Sequence, residues 1–180
     1  MSKYKSKYQV FTTSFGKALK EEVDSIGPSV LAERYNIALA PADFNDPYCK
    51  TEFGKQPKIL QAHGKARRAE NPFYWVRFVD QYAKQLPRNC ILLVSDLRNT
   101  PETLWLEQEG GYSVNVVREG YIDPNRNPNH DSEISLDNYD YDYRIIVPEG
   151  RIDISEARAD EVFNDIIERQ SPVRDEFIAI

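Results

Sequence analysis

The stretch 89–102, NCILLVSDLRNTPE, restricts the fold more than any other part of the chain. Cys90 to Val94 is a short apolar run bounded by turn signals, which reads as a buried strand. It passes into a polar turn carrying Asp96 and Arg98, then into a helix start at Pro101 and Glu102. A buried strand leading at once into a helix belongs to an α/β fold. An acid at its carboxyl end stands where open α/β sheets place their chemistry.

The rest of the chain repeats this alternation. YQVFTTSF at 8–15 alternates and is β-rich. Ser14 can cap a helix through FGKALKEEVDSI, stopped by Gly27–Pro28, and SVLAERYNI suits a shorter helix. Residues 38–57, with three prolines, read as a long surface loop. PKILQAHGKARRAE has helical spacing and a basic end. The next helix, NPFYWVRFVDQYAKQL, takes Asn71 as cap and Pro72 at its first position. After the strand at 89–96, Thr100 caps PETLWLEQEGG. YSVNVVRE and YRIIVP are further strands on either side of a polar, lid-like excursion at about 120–142, and DISEARADEVFNDIIERQ is a closing amphipathic helix. Strands separated by helices imply a mostly parallel sheet with helices on both faces.

Composition narrows the function. The 180 residues, 41% hydrophobic, suit one domain over 1–180. A net charge of −6 argues against a broad nucleic-acid or anionic-membrane footprint. Two cysteines make no disulfide framework, and with two distant histidines they do not suggest zinc. Cys90 is expected to be a small apolar filler in its strand. There is no signal peptide and no apolar run near 18 residues. A reducing cytosol is the expected setting.

Three constellations could carry chemistry. Asp96, Arg98 and Glu102 form a strand-end acid with a cation beside it, or simply a turn. In ILQAHGKARRAENPFYW, Gln61, His63, Arg67 and Arg68 share one or two helical turns ahead of Trp75. Paired guanidiniums suit a phosphate, and an aromatic could stack on a base. A solvated basic helix end explains the same residues. In NHDSEISLDNYDYD, His130, Ser132 and Glu133 stand among crowded carboxylates, but the glycine and terminal Glu of a calcium loop are missing, and a solvated acidic loop is the plain alternative.

The order of these groups resembles the phage deoxynucleoside monophosphate kinases, a P-loop kinase family distantly similar to animal-type phosphomevalonate kinases. TTSFGKALKEE at 12–22 looks like the family's strand and SFAD-LK segment. LQAHGKARR at 60–68, followed by Trp75, looks like its LQ–hG–xxR helix. Asp96, Arg98 and Glu102 match a strand end of the form D-R-x-x-x-E, and GGYSVNVVRE at 110–119 is similar to its GG-x-x-x-x-V-x-R segment. His130, Ser132 and Glu133 resemble H-x-S-E, and Asp142 with Ile145 resembles D-x-x-I. The co-linear order over residues 8–150 carries the resemblance.

The resemblance implies a three-layer parallel sheet of P-loop kinase type and transfer of the γ-phosphate of ATP to a deoxynucleoside monophosphate, with Mg2+. Arg67 or Arg68 would hold the acceptor phosphate, with Gln61 on the same helix, and Trp75 would face the base. Asp96 would act on magnesium indirectly, through its water shell. Arg98 and Arg118 would lie near the transferring phosphates, and His130 and Glu133 on the lid side. It implies a nucleoside monophosphate substrate, neither membrane nor nucleic acid as partner, and the cytoplasm of a phage-infected bacterium; it leaves a homodimer open.

One departure stands out. A P-loop needs G-x-x-x-x-G-K-[ST] after the first strand. Here Gly-Lys occurs at 16–17, 54–55 and 64–65, never followed by Ser or Thr and never with the earlier glycine. By the resemblance, residue 8 already begins the second strand, so the first strand, P-loop and helix are expected before Met1. An internal start, a P-loop supplied by a second chain, or a degenerate non-catalytic relative that binds a nucleotide or a protein would each account for this. The first is preferred because the other motifs look intact. The chain alone is expected not to turn over ATP.

Overall fold

The computed structural model describes residues 8–45, 48–121 and 135–170. The fold is mixed α/β. Its described elements are six helices and four short strands, in two compact units, one spanning Gln9–Glu102 and the other beginning at Thr103. Among the described residues no helix is long and apolar enough to cross a membrane.

In the first unit, β1 (Gln9–Ser14) leads directly into α1 (Phe15–Ile26), because the Ser14 hydroxyl accepts the Lys17 N–H at 3.1 Å and caps the helix. Then come α2 (Pro28–Tyr35), α3 (Pro57–Glu70), α4 (Val76–Gln85) and β2 (Cys90–Ser95). β1 and β2 pair in parallel, from Gln9 opposite Cys90 to Ser14 opposite Ser95. Parallel neighbours need a crossover, and the helices between them supply it. The core lies among α1, α2 and α3, where Val23, Leu31, Ala32, Ile59 and Leu60 pack together. Cys49 belongs to this core, whereas Cys90 is only half-buried.

One local expectation is corrected. Asn71 ends α3 instead of starting the next helix: its N–H bonds the Arg67 carbonyl, and its side chain accepts the Phe73 N–H at 2.9 Å. Asn71 and Pro72 thus open a turn, and α4 starts only at Val76. The loop at 38–56 is mostly exposed, as expected, but buried Gln56 stitches it, bonding Ala40 through both ends of its amide and the Phe53 carbonyl as well.

The boundary between the units falls inside α5 (Thr100–Gln108). Its cap is Asn99, one residue before the expected Thr100. Glu102 reaches back to the N–H groups of Arg98 and Asn99, at 2.6 and 2.9 Å. At the other end, the Gly111 N–H bonds the Leu106 carbonyl and the Gly110 N–H bonds that of Glu107. Gly110 has φ +66°, so glycine closes this Schellman turn without strain.

In the second unit, β3 (Val114–Arg118) pairs in parallel with β4 (Tyr143–Val147), and α6 (Ile152–Gln170) packs on β4. Asp142 ties the start of the pair, accepting both the N–H and the hydroxyl of Ser113 at 2.7 Å. Of the expected excursion, residues 122–134 lie outside the described residues. The described strands therefore form two parallel pairs.

Candidate functional site

Two groups of polar side chains stand out in the first unit. One sits at the carboxyl end of β1 and β2. Asp96 follows the last residue of β2 and has φ +82°, a left-handed conformation that costs a non-glycine residue energy and often marks a functional or tightly held position. Its two oxygens accept the N–H groups of Phe15 and Gly16 at 2.8 and 2.9 Å. Asp96 thus locks the first turn of α1 onto the end of β2. A Cβ on Gly16 would stand 2.9 Å from that carboxylate, so the approach depends on glycine. Burial pushes the Asp96 carboxyl above its ordinary range, against the two N–H bonds and the charges of Arg98 and Lys20, which pull it down. Glu102 is also raised, by burial first, against its bonds from Arg98 and Asn99.

Arg98 is exposed beside this carboxylate. On α1, the Lys17 and Lys20 ammoniums lie 5.9 and 5.4 Å from the Tyr48 ring centre. The end of the β1–β2 pair therefore combines a clamped acid with mobile-length cationic side chains. The two Asp96 oxygens each accept one backbone N–H, with Arg98, Lys20 and the Glu102 carboxylate nearby, and each keeps a lone pair that could accept from a magnesium-bound water. Among the described residues, no three His, Cys, Asp or Glu side chains gather as metal ligands.

The second group is buried between α1, α2 and α3. His63 is 1% exposed. Its Nδ1 lies 2.8 Å from the Tyr35 hydroxyl and its Nε2 2.8 Å from Glu22 Oε1. Arg67 Nε donates to the same Glu22 oxygen at 2.8 Å, and the Tyr74 hydroxyl donates to the other at 2.7 Å. Burial pushes Glu22 up, but bonds from Tyr74, His63 and Arg67 outweigh it and hold the carboxyl below its ordinary range.

This network redistributes the residues expected to bind substrate. Arg67 is turned onto Glu22 and Glu70 instead of an open phosphate site. Trp75 is 3% exposed: its indole N–H bonds the Gly64 carbonyl at 3.3 Å, Phe78 stacks at 6.1 Å and Tyr74 meets it edge-on at 4.7 Å. With its ring covered by protein, Trp75 is a core residue and not a platform for a base. Gln61 is exposed on α3, and Arg68 is half-buried beside Gly64. Asp96, Arg98 and Glu102 do come together. Arg118 ends β3 in the second unit, 3.9 Å from Glu149 and 4.4 Å from the Tyr121 ring centre. His130 and Glu133 lie outside the described residues.

Glu22, Tyr35, Tyr74 and Lys20 were missed by sequence reasoning. A buried histidine needs partners for both ring nitrogens, and that was the available signal. Nothing in the local pattern pairs His63 with an acid 41 positions away. No protein-family model matches this chain, and no curated protein matches it.

Proposed function

We propose that the carboxyl end of the β1–β2 pair receives the phosphate of a nucleoside monophosphate, and that the chain is the acceptor-binding part of a nucleotide-kinase-like protein. The observation that carries this reading is the exposed Arg98 beside a strand-end Asp96 of positive φ, with Lys20 near the same carboxylate. In α/β folds, ligands bind outside the carboxyl ends of parallel strands. A guanidinium on a short turn offers a phosphate two parallel N–H donors. Asp96 acts here as a positioning group, holding α1 and the Arg98 turn in register.

The three-layer P-loop sheet is part of this proposal, and the parallel pairing of the strands supports it. ATP and magnesium enter only as co-substrate, held by a phosphate loop that these 180 residues do not contain. The chain's own residues bind and orient the acceptor.

A second reading is favoured by one observation. Asp96 is committed to backbone and Arg67 to Glu22, which suits a non-catalytic relative that binds a nucleotide or a protein. Thermal unfolding of the purified chain with each deoxynucleoside monophosphate, with magnesium-ATP, and with both decides the matter. A rise in midpoint with a monophosphate, lost in Arg98→Ala, is expected, with no rise for magnesium-ATP alone. No shift with any nucleotide would remove the phosphate-binding reading. ADP formation by the chain alone would remove the assignment to an acceptor part.

A further inference from the structure

We propose that Tyr48 is the residue on which the base of the bound nucleoside monophosphate stacks, and that Lys17 and Lys20 turn from its ring to the phosphate as the nucleotide enters. This rests on the phosphate site at the carboxyl end of the β1–β2 pair and supplies the half of the ligand that Arg98 and Asp96 leave unrecognised.

A nucleotide needs an aromatic face one sugar away from its phosphate donors. Trp75 is sealed in the core, and Phe15, at the start of α1, is buried too. The Tyr74 hydroxyl is spent on Glu22, and its ring carries the Arg67 and Arg77 guanidiniums at 5.1 and 4.0 Å. Tyr48 differs from all three. It is 36% exposed, and the Lys17 and Lys20 ammoniums lie 5.9 and 5.4 Å from its ring centre. The Lys20 charge also acts on the Asp96 carboxyl. One lysine side chain therefore spans the gap between the strand end and the ring, which is the gap a nucleoside has to bridge.

The loop that carries Tyr48 is fastened to α1. Cys49, the next residue, is buried in the helical core with Val23. The Lys50 N–H donates to the Asp24 carboxylate. Further along, Asp43 and Gly54 form a parallel bridge, and the Lys55 N–H bonds the Asp43 carbonyl at 2.6 Å. The ring is thus set against the helix that also carries Lys17 and Lys20, and its approach to them does not depend on a loose loop.

Charge explains the exchange of partners. Lys17 and Lys20, three residues apart on α1, present like charges on one side of the helix, with Arg98 near the same Asp96. The negative face of the tyrosine ring offsets part of that repulsion. A phosphate dianion offsets far more, because it adds full charge and direct hydrogen bonds. When it binds, the long lysine stems can follow it, and the ring face they leave is open to a base.

NMR titration of the full chain tests this, using each deoxynucleoside monophosphate and, separately, deoxyribose phosphate, which has the sugar and phosphate but no base. The Tyr48 ring protons, assigned by their loss in Tyr48→Phe, should shift upfield with a monophosphate and not with the sugar phosphate. Tyr48→Ala should weaken monophosphate binding about 5-fold or more, whereas Tyr48→Phe, which keeps the ring, should hold it. Monophosphate binding that is unchanged in Tyr48→Ala but lost in Arg98→Ala would overturn the base platform and leave the phosphate site standing. The same ring shift with sugar phosphate as with nucleotide would also overturn it. If the unaltered chain binds neither ligand, this inference falls together with the reading on which it rests.

Discussion

At the scale of single residues, the Glu22 carboxylate organises more of the first unit than any residue the motifs pointed to. Three side chains from one helix and the turn after it, His63, Arg67 and Tyr74, converge on its two oxygens. Replacing it by glutamine keeps the volume but puts an NH2 group where donors already point. Glu22→Gln should cost about 2–3 kcal/mol, the range for breaking one side of a shielded charge network. The pH dependence has a definite sign. The folded carboxyl lies below its ordinary 4.5, so the stabilisation is complete above that pH and is lost as pH falls through the folded value. Urea midpoints from pH 7 to 3 should therefore converge for wild type and Glu22→Gln; parallel curves would mean the network carries no charge-dependent stability. Histidine and arginine were legible in the sequence as members of a basic helix. Their purpose was not, because it depends on an acid in a helix that reads, by itself, as a solvated KEE run.

Elements were far more legible than their contacts. The four strands and the main helices fall close to where apolar runs, capping residues and prolines place them, since those signals are local. The errors are also local: Asn71 serves the end of one helix instead of the start of the next, and Asn99 with Glu102 caps α5 one residue early. What periodicity could not supply is the attachment of α6 to β4 through Tyr143 and Asp165. The bond to Asp165, helped by burial, pushes the Tyr143 hydroxyl up to about 12 from an ordinary 10. Because the neutral hydroxyl is the donor, this tie is complete below pH 10 and is lost as pH rises through about 12. Absorbance at 295 nm should show the difference between wild type and Tyr143→Phe as a single late step near pH 12. A step near 10 would mean that the hydroxyl is not held by Asp165 in solution.

On the scale of the whole molecule, helices and strands differ in how well they are covered. The helices bury Leu31, Ile59 and Val79, while the strands leave Leu93 and Ile146 each 51% exposed. Parallel strands are ordinarily covered on both faces, so this exposure is the main physical strain between the sequence and the fold. The sequence correctly shows Cys90–Val94 as a strand, but the burial expected of it is not seen: its residues are half-buried or exposed. Leu93 lies in register with Thr12 of β1, on a face that also exposes Val10. If that face is open to water, Leu93→Lys removes an apolar contact with solvent and should change stability by no more than about 0.5 kcal/mol. It should also lower the binding of a hydrophobic dye. If instead the variant loses about 2 kcal/mol or more, Leu93 is packed in solution. The β1–β2 pair would then be part of a larger covered sheet, as the kinase-like reading requires. Chemical denaturation of this one variant thus weighs a two-stranded pair against a complete three-layer sheet, independently of any nucleotide.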